Sequence, residues 1–259
     1  MISNLFLIML LAHIVGDFYL QSNRIAKSKN GSFKYLLVHL LIYGLTSIVF
    51  FVPVFKTNIT WYLVGFIISH IIIDLLKFFV PKKYKNRPWV YVTDQMLHVL
   101  SIIVIAILFE NSGVNLKFFS IITNAFSDMS IDLHEFLKVS ALILLVLKPI
   151  NISFKKIFNP ANVKSKHEEE DDEVVLEVNK EMTQEQKENE VSLGATIGSM
   201  ERLLIVILLL LNEYTAIGLV LTGKSVARYN KLSAEYYIVG TFFSLLSALI
   251  PYLVIMHFM

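Results

Sequence analysis

A row of apolar stretches close to the length of a membrane crossing restricts this chain most, and four of them carry histidine and aspartate. A helix needs about 20 mostly apolar residues to cross hydrocarbon. Backbone polar groups at that depth must be satisfied internally, which leaves helices or closed barrels. His13 and Asp17 stand four apart, as do His70 and Asp74, and Asp94 and His98, while His39 stands alone on the second stretch. A spacing of four places two side chains on one face of a helix. Ionisable groups inside a bilayer are costly and mark function by default.

Eight spans follow from the apolar periods. The first covers about 2–20, the second 33–52, the third 59–79 and the fourth 90–109. A fifth covers 133–147 and stops at Pro149. Residues 116–126 are too short to cross and lie at the interface or extend the fifth span. Residues 198–211 and 214–227 form two short spans, or one re-entrant pair, around a tight turn at Asn212-Glu213, and the last span covers 236–256. The expectation is an all-α, polytopic transmembrane helical bundle. It has a five-span block over 1–158, an acidic cytoplasmic linker over 159–192 and a three-span block over 193–259. The linker holds six consecutive acids, Glu168 to Glu173, and reads as disordered or as a solvated helix. The run reads as a flexible tether or as a docking element for a cytoplasmic partner, with metal sequestration by His167 and the acids as the alternative.

The composition agrees: 55% of residues are hydrophobic and 17% charged, against about 25% charged in soluble domains. With no cysteine in the chain, disulfides and thiolate metal sites are excluded. The first stretch lacks a basic leader and carries the His13/Asp17 pair, so a retained helix is expected rather than a cleaved signal. Lys and Arg concentrate in alternate loops: Arg24, Lys27, Lys29 and Lys34; Lys82, Lys83, Lys85 and Arg87; Lys155, Lys156, Lys164 and Lys166; Lys224, Arg228 and Lys231. Positive loops stay inside, so both termini face outward. These short basic loops are explained by topology, and nucleic-acid binding is not indicated. The three aspartates then fall near the inner helix ends, with the four histidines one turn deeper.

Imidazole and carboxylate together are a metal-ligand vocabulary. The set suits one or two divalent ions, zinc best, with manganese or iron also compatible. His13, His39, His70 and His98 are candidate ligands. Asp17, Asp74 and Asp94 are candidate ligands, orienters of the histidines, or a general base. A lone His–Asp pair is more often a hydrogen-bonded brace between helices; seven layered groups argue for a site. Glu201, Arg202, Lys224, Arg228 and Glu235 form a second polar group at the same level. Its basic members are either positive-inside anchors, partners in Glu201–Arg228 or Arg202–Glu235 ion pairs, or a seat for an anionic head group.

Ala12-His13-Ile14-Val15-Gly16-Asp17-Phe18-Tyr19-Leu20-Gln21 resembles the opening signature of a bacterial membrane-protein family, domain of unknown function 3307. His39 in Leu37-Val38-His39, the His70–Asp74 stretch and the Asp94–His98 stretch match its other marks. Gly198-Ser199-Met200-Glu201-Arg202, the Gly223–Arg228 stretch and Ala234-Glu235-Tyr236-Tyr237 are similar to its longer members. The resemblance supports the choice of residues and implies no known activity. There is a looser likeness to membrane-bound metal-dependent hydrolases. Residues and resemblance together lead to the expectation of a metal-dependent membrane hydrolase acting on a lipid or membrane-associated anionic substrate from the cytoplasmic side. The alternatives are a divalent-cation or proton transporter, a bis-histidine haem protein, or a structural partner protein.

Overall fold

The computed structural model describes residues 3–55, 58–85, 87–158, 184–228 and 234–258. Among these the chain is all-helical, with no strand. The acidic run Glu168 to Glu173 and His167 lie outside the described residues. The described residues divide into two compact units, one up to Leu145 together with the chain from Ile255, the other from Val146 to Val254.

In the first unit, helix α1 (Asn4–Ile14) begins at Ser3, whose Oγ accepts the Phe6 N–H at 3.4 Å. After α1 come the short α2 (Asn23–Ser28), then α3 (Phe33–Phe51), α4 (Thr60–Phe79), the short α5 (Lys82–Lys85), α6 (Pro88–Asn111) and α7 (Ser120–Asp128). Helix α8 (Leu133–Ile157) begins in this unit. α1 packs on α3 and α6, α3 on α4, and α4 on α6, which closes a ring of four. The first half of α8 adds Ala141 to the same core, and His134 Nδ1 meets Asn4 Oδ1 at 2.7 Å. Every residue of α1 from Leu5 to Ile14 is therefore buried. A helix that is apolar all round suits such an enclosed position.

Antiparallel succession sorts the ring into two ends. The start of α1 lies beside the end of α3 and the end of α6, where Phe51, Leu63, Phe66, Ile102 and Phe109 join it in an apolar plug. The opposite end carries all seven His and Asp candidates, each of them buried.

Five helical stretches are long and apolar enough to cross a membrane: Phe33–Val54, Thr60–Phe79, Pro88–Asn111, Leu133–Ile157 and Val239–Met256. Their outward faces are apolar, with Leu41, Trp61, Leu76 and Met96 exposed. Asn4–Tyr19 is a shorter apolar helix.

Several boundaries differ from the sequence reading. α8 does not stop at Pro149 but runs on to Ile157. Proline removes one helix N–H and crowds the turn before it, and such helices persist where neighbours satisfy the freed groups. The carbonyl that Pro149 leaves without its helix donor is that of Leu145, and the next one, Val146, accepts from Arg202 Nε at 2.7 Å. Residues 120–128 form their own helix, α7, rather than extending α8. It ends with Ser130 in the left-handed region at φ 55°.

In the second unit α9 (Gln184–Leu210) packs on α10 (Tyr214–Arg228) and α11 (Ala234–Leu253). α9 starts inside the stretch read as linker. It ends at the expected turn, where Asn212 takes φ 59°, Asn212 N–H bonds to Leu209 O at 3.1 Å and Glu213 N–H to Leu208 O at 2.8 Å. This paired pattern closes a helix C-terminus with asparagine in the left-handed position.

Phe66→Ala is expected to lower the stability of the detergent-solubilised chain by about 3–5 kcal/mol, because the plug cannot close over the cavity. Trp61→Ala, at a position 77% exposed, is expected to stay within about 0.5 kcal/mol. Thermal or denaturant unfolding of both variants checks the contrast.

Candidate metal centre

The site begins with an irregularity in α1. From Val15 to Tyr19 the helix widens into a π-helical turn, closed by Leu20 N–H to Val15 O at 2.9 Å. Such turns recur at functional sites because the extra residue re-aims a side chain. Here the turn carries Asp17 and Gly16. Gly16 lies so close to α3 that a Cβ there would stand 2.9 Å from Tyr43 Cδ2. The freed space lets the Tyr43 ring stack flat on His70, with centroids 3.3 Å apart and planes 9° apart. Tyr43 thereby fixes the plane of one histidine of the cluster.

The ring-nitrogen and carboxylate atoms converge at the centre. His39 Nε2 lies 3.2 Å from His70 Nε2, 3.4 Å from Asp17 Oδ1 and 2.9 Å from Asp74 Oδ2. His70 Nε2 lies 3.5 Å from Asp17 Oδ1 and 3.8 Å from Asp74 Oδ2. Ligands about 2.0–2.1 Å from a tetrahedral zinc stand about 3.3–3.4 Å from one another. The Asp17–His39–His70 triangle has edges of that size. A second triangle lies beside it: His98 Nε2 is 3.8 Å from both Asp74 Oδ1 and Asp94 Oδ1. Asp74 faces both triangles, one with each oxygen. The His13 ring packs 5.0 Å from that of His98 and 5.9 Å from that of His70, centroid to centroid. His13, His70 and His98 form a third group with ligand atoms within 4.8 Å of one another.

Asp17 Oδ1, Asp74 Oδ1, Asp94 Oδ1 and His98 Nε2 are buried and have no hydrogen-bond partner. A buried polar atom left unmatched costs about 1–3 kcal/mol, more if charged. Several acceptors facing one another at these distances repel unless a cation stands among them. The donor set, all nitrogen and oxygen, fits a divalent ion.

Two lysines reach the same place. Lys29 Nζ lies 3.0 Å from His39 Nε2 and donates to Asp74 Oδ2 at 3.2 Å. Lys77 Nζ binds Asp94 Oδ2, which also accepts from Gln95 Nε2 at 3.0 Å. Burial works against the Lys29 charge, yet Asp17, Asp74 and Asp94 outweigh it and hold its pKa above the ordinary lysine value. No motif marks either lysine in the sequence, although Lys77 follows Asp74 by three, as Tyr43 follows His39 by four, spacings that share a helix face. Lys29 reads in the sequence only as a loop anchor, and no period singles it out.

The second polar group lies in the other unit. Lys224 Nζ donates to Glu201 Oε2 at 2.6 Å. Arg202 is buried, with its guanidinium on Val146 O, Asn151 Oδ1 and Ser199 Oγ. The side chains of Arg228 and Glu235 lie outside the described residues.

Residues 5–127 match the family model described as protein of unknown function, domain 3307. The match contains all seven clustered His and Asp residues together with Lys29, Tyr43 and Lys77. Residues 5–127 belong to this family. The family match ends before α8 and does not reach the Glu201 to Glu235 group. No curated protein and no solved structure matches the chain. The looser likeness to metal-dependent hydrolases has no support in these comparisons.

Gly16→Ala is expected to force the Tyr43 ring off His70 and to cost about 1–3 kcal/mol, the usual penalty of overpacking. A thermal melt together with tyrosine near-ultraviolet circular dichroism checks it. An unchanged melt and spectrum would mean that the close approach does not hold the stack.

Proposed function

We propose that this chain is a metal-dependent enzyme of the bacterial cytoplasmic membrane, a hydrolase acting on a lipid or membrane-associated anionic substrate. One observation carries the reading: nitrogen and oxygen acceptors from four helices meet inside a bundle at ligand-to-ligand spacing, several without hydrogen-bond partners. Asp17, His39, His70 and one oxygen of Asp74 would hold one ion. The other oxygen of Asp74, with Asp94 and His98, would hold a second, and His13 flanks both. A bound divalent ion supplies Lewis acidity toward a carbonyl or phosphoryl oxygen and lowers the pKa of water. Zinc suits the set best, with manganese and iron compatible. Asp17, Asp74 and Asp94 are the carboxylates available to accept a proton. Lys224 and Arg228 are the cations proposed to meet an anionic head group.

The proposed topology has eight crossings, with both termini outside and the cluster near the inner leaflet. The apolar plug beyond the cluster favours an enzyme over a transporter, since transport needs a polar path to both sides. The histidine rings stand too close for haem, with His70 and His98 stacked 4.3 Å apart.

Elemental analysis of unchelated protein should find one or two divalent ions per chain, and His70→Ala should lose them while still inserting. Normal metal content in that variant would remove His70 from the centre, and metal flux through proteoliposomes dependent on Asp74 would favour a transporter. The chain has no cysteine, so a cysteine placed at Lys83 is a unique label. It should react with an impermeant maleimide only after the cytoplasmic face is opened; reaction in intact cells would reverse the topology.

A further inference from the structure

The buried ammonium of Lys29 is an unusual neighbour for a metal centre. Its Nζ lies 3.0 Å from His39 Nε2 and 3.2 Å from Asp74 Oδ2, and the residue is 7% exposed. An ammonium has three donors and no lone pair. Nζ thus stands against His39 Nε2 and Asp74 Oδ2 together. A metal held by those two atoms would have to take the place of the ammonium, so Lys29 and the metal compete for it. Resting on the metal reading above, we infer that Lys29 is a selectivity residue: a tethered monovalent cation that fills the cluster until a divalent ion displaces it.

Charge decides the exchange. The attraction of a cation for Asp17, Asp74 and Asp94 scales with its charge. A divalent ion gains roughly twice what the ammonium holds at equal distance. Sodium or potassium brings no more charge than Lys29 and would also have to expel it, so monovalent ions are refused.

The surrounding chain suits a side chain that moves while its backbone stays. Lys29 follows α2, which buries no residue. Its own N–H is held by Ile25 O at 2.8 Å. The adjacent Asn30 carbonyl is bound by Lys85 Nζ, which also holds Phe78 O near the end of α4. Lysine carries its ammonium on a flexible four-carbon stem. Lys77 makes the natural comparison. It binds Asp94 Oδ2 and leaves Oδ1, the oxygen aimed at His98, to the second triangle. Lys77 and a metal can therefore coexist.

The test is zinc binding by the full chain in detergent, measured by calorimetry for wild type, Lys29→Met, Lys29→Gln and Lys77→Met. Both Lys29 variants should bind Zn2+ about tenfold tighter than wild type, equivalent to about 1.4 kcal/mol. They should also melt lower without metal and recover when Zn2+ is added. Lys77→Met should show no such gain. Sodium at high concentration should compete with Zn2+ in the Lys29 variants more than in wild type. Equal or weaker Zn2+ binding by a folded Lys29 variant would overturn the inference and leave Lys29 as a brace. No Zn2+ binding by wild type and variants alike would overturn the metal reading itself, and this inference with it.

Discussion

Mutual repulsion among buried acceptors governs the rest of this structure. Three carboxylates and four imidazoles meet where helices otherwise pack apolar surface. His39 Nε2 stands within 3.5 Å of atoms from Asp17, His70 and Asp74. Such a set is stable only with cations among its members, because unpaired buried charge is strongly unfavourable. Lys29 and Lys77 supply two positive charges against three carboxylates. With neutral histidines, the cluster keeps one negative charge in excess.

The fold is arranged to hold that set rigid. α1 is enclosed by α3, α6 and the first half of α8, so His13 and the Asp17 turn have no lipid or water to retreat to. The plug of Phe51, Phe66, Ile102 and Phe109 fixes the far end of the ring. At the polar end the π-helical turn, Gly16 and Tyr43 act in sequence: the glycine admits the ring, and the ring sets His70. A ligand cluster held by packing keeps its geometry without the ion, which is what a metal enzyme or a selective metal site requires.

Much of this was legible in the sequence, and the rest was not for physical reasons. The three pairs four apart mark six of the seven clustered residues, because an α-helical period survives in any apolar background, and His39 stands out only as a lone polar residue in an apolar stretch. The short turn at Asn212 was also readable, since asparagine tolerates the left-handed region. Pro149 reads as a helix stop, yet α8 runs through it to Ile157, because proline ends or kinks a helix by tendency and not by necessity. The π-helical turn at Val15–Tyr19 leaves no compositional trace. Lys29 was hidden by a rule that is true on average: lysines in short loops anchor topology. Only the tertiary approach of α2 to His39 and Asp74 shows that this one turns inward.

X-ray absorption on the zinc-loaded full chain tests the central claim most directly. A metal centre of this kind gives a first shell of about four nitrogen and oxygen ligands near 2.0–2.1 Å, with outer scattering from imidazole rings. That imidazole scattering should fall in His39→Ala and His70→Ala. A shell without imidazole, or zinc that washes away on dialysis, would contradict it and leave the cluster as a charge-balanced brace between helices.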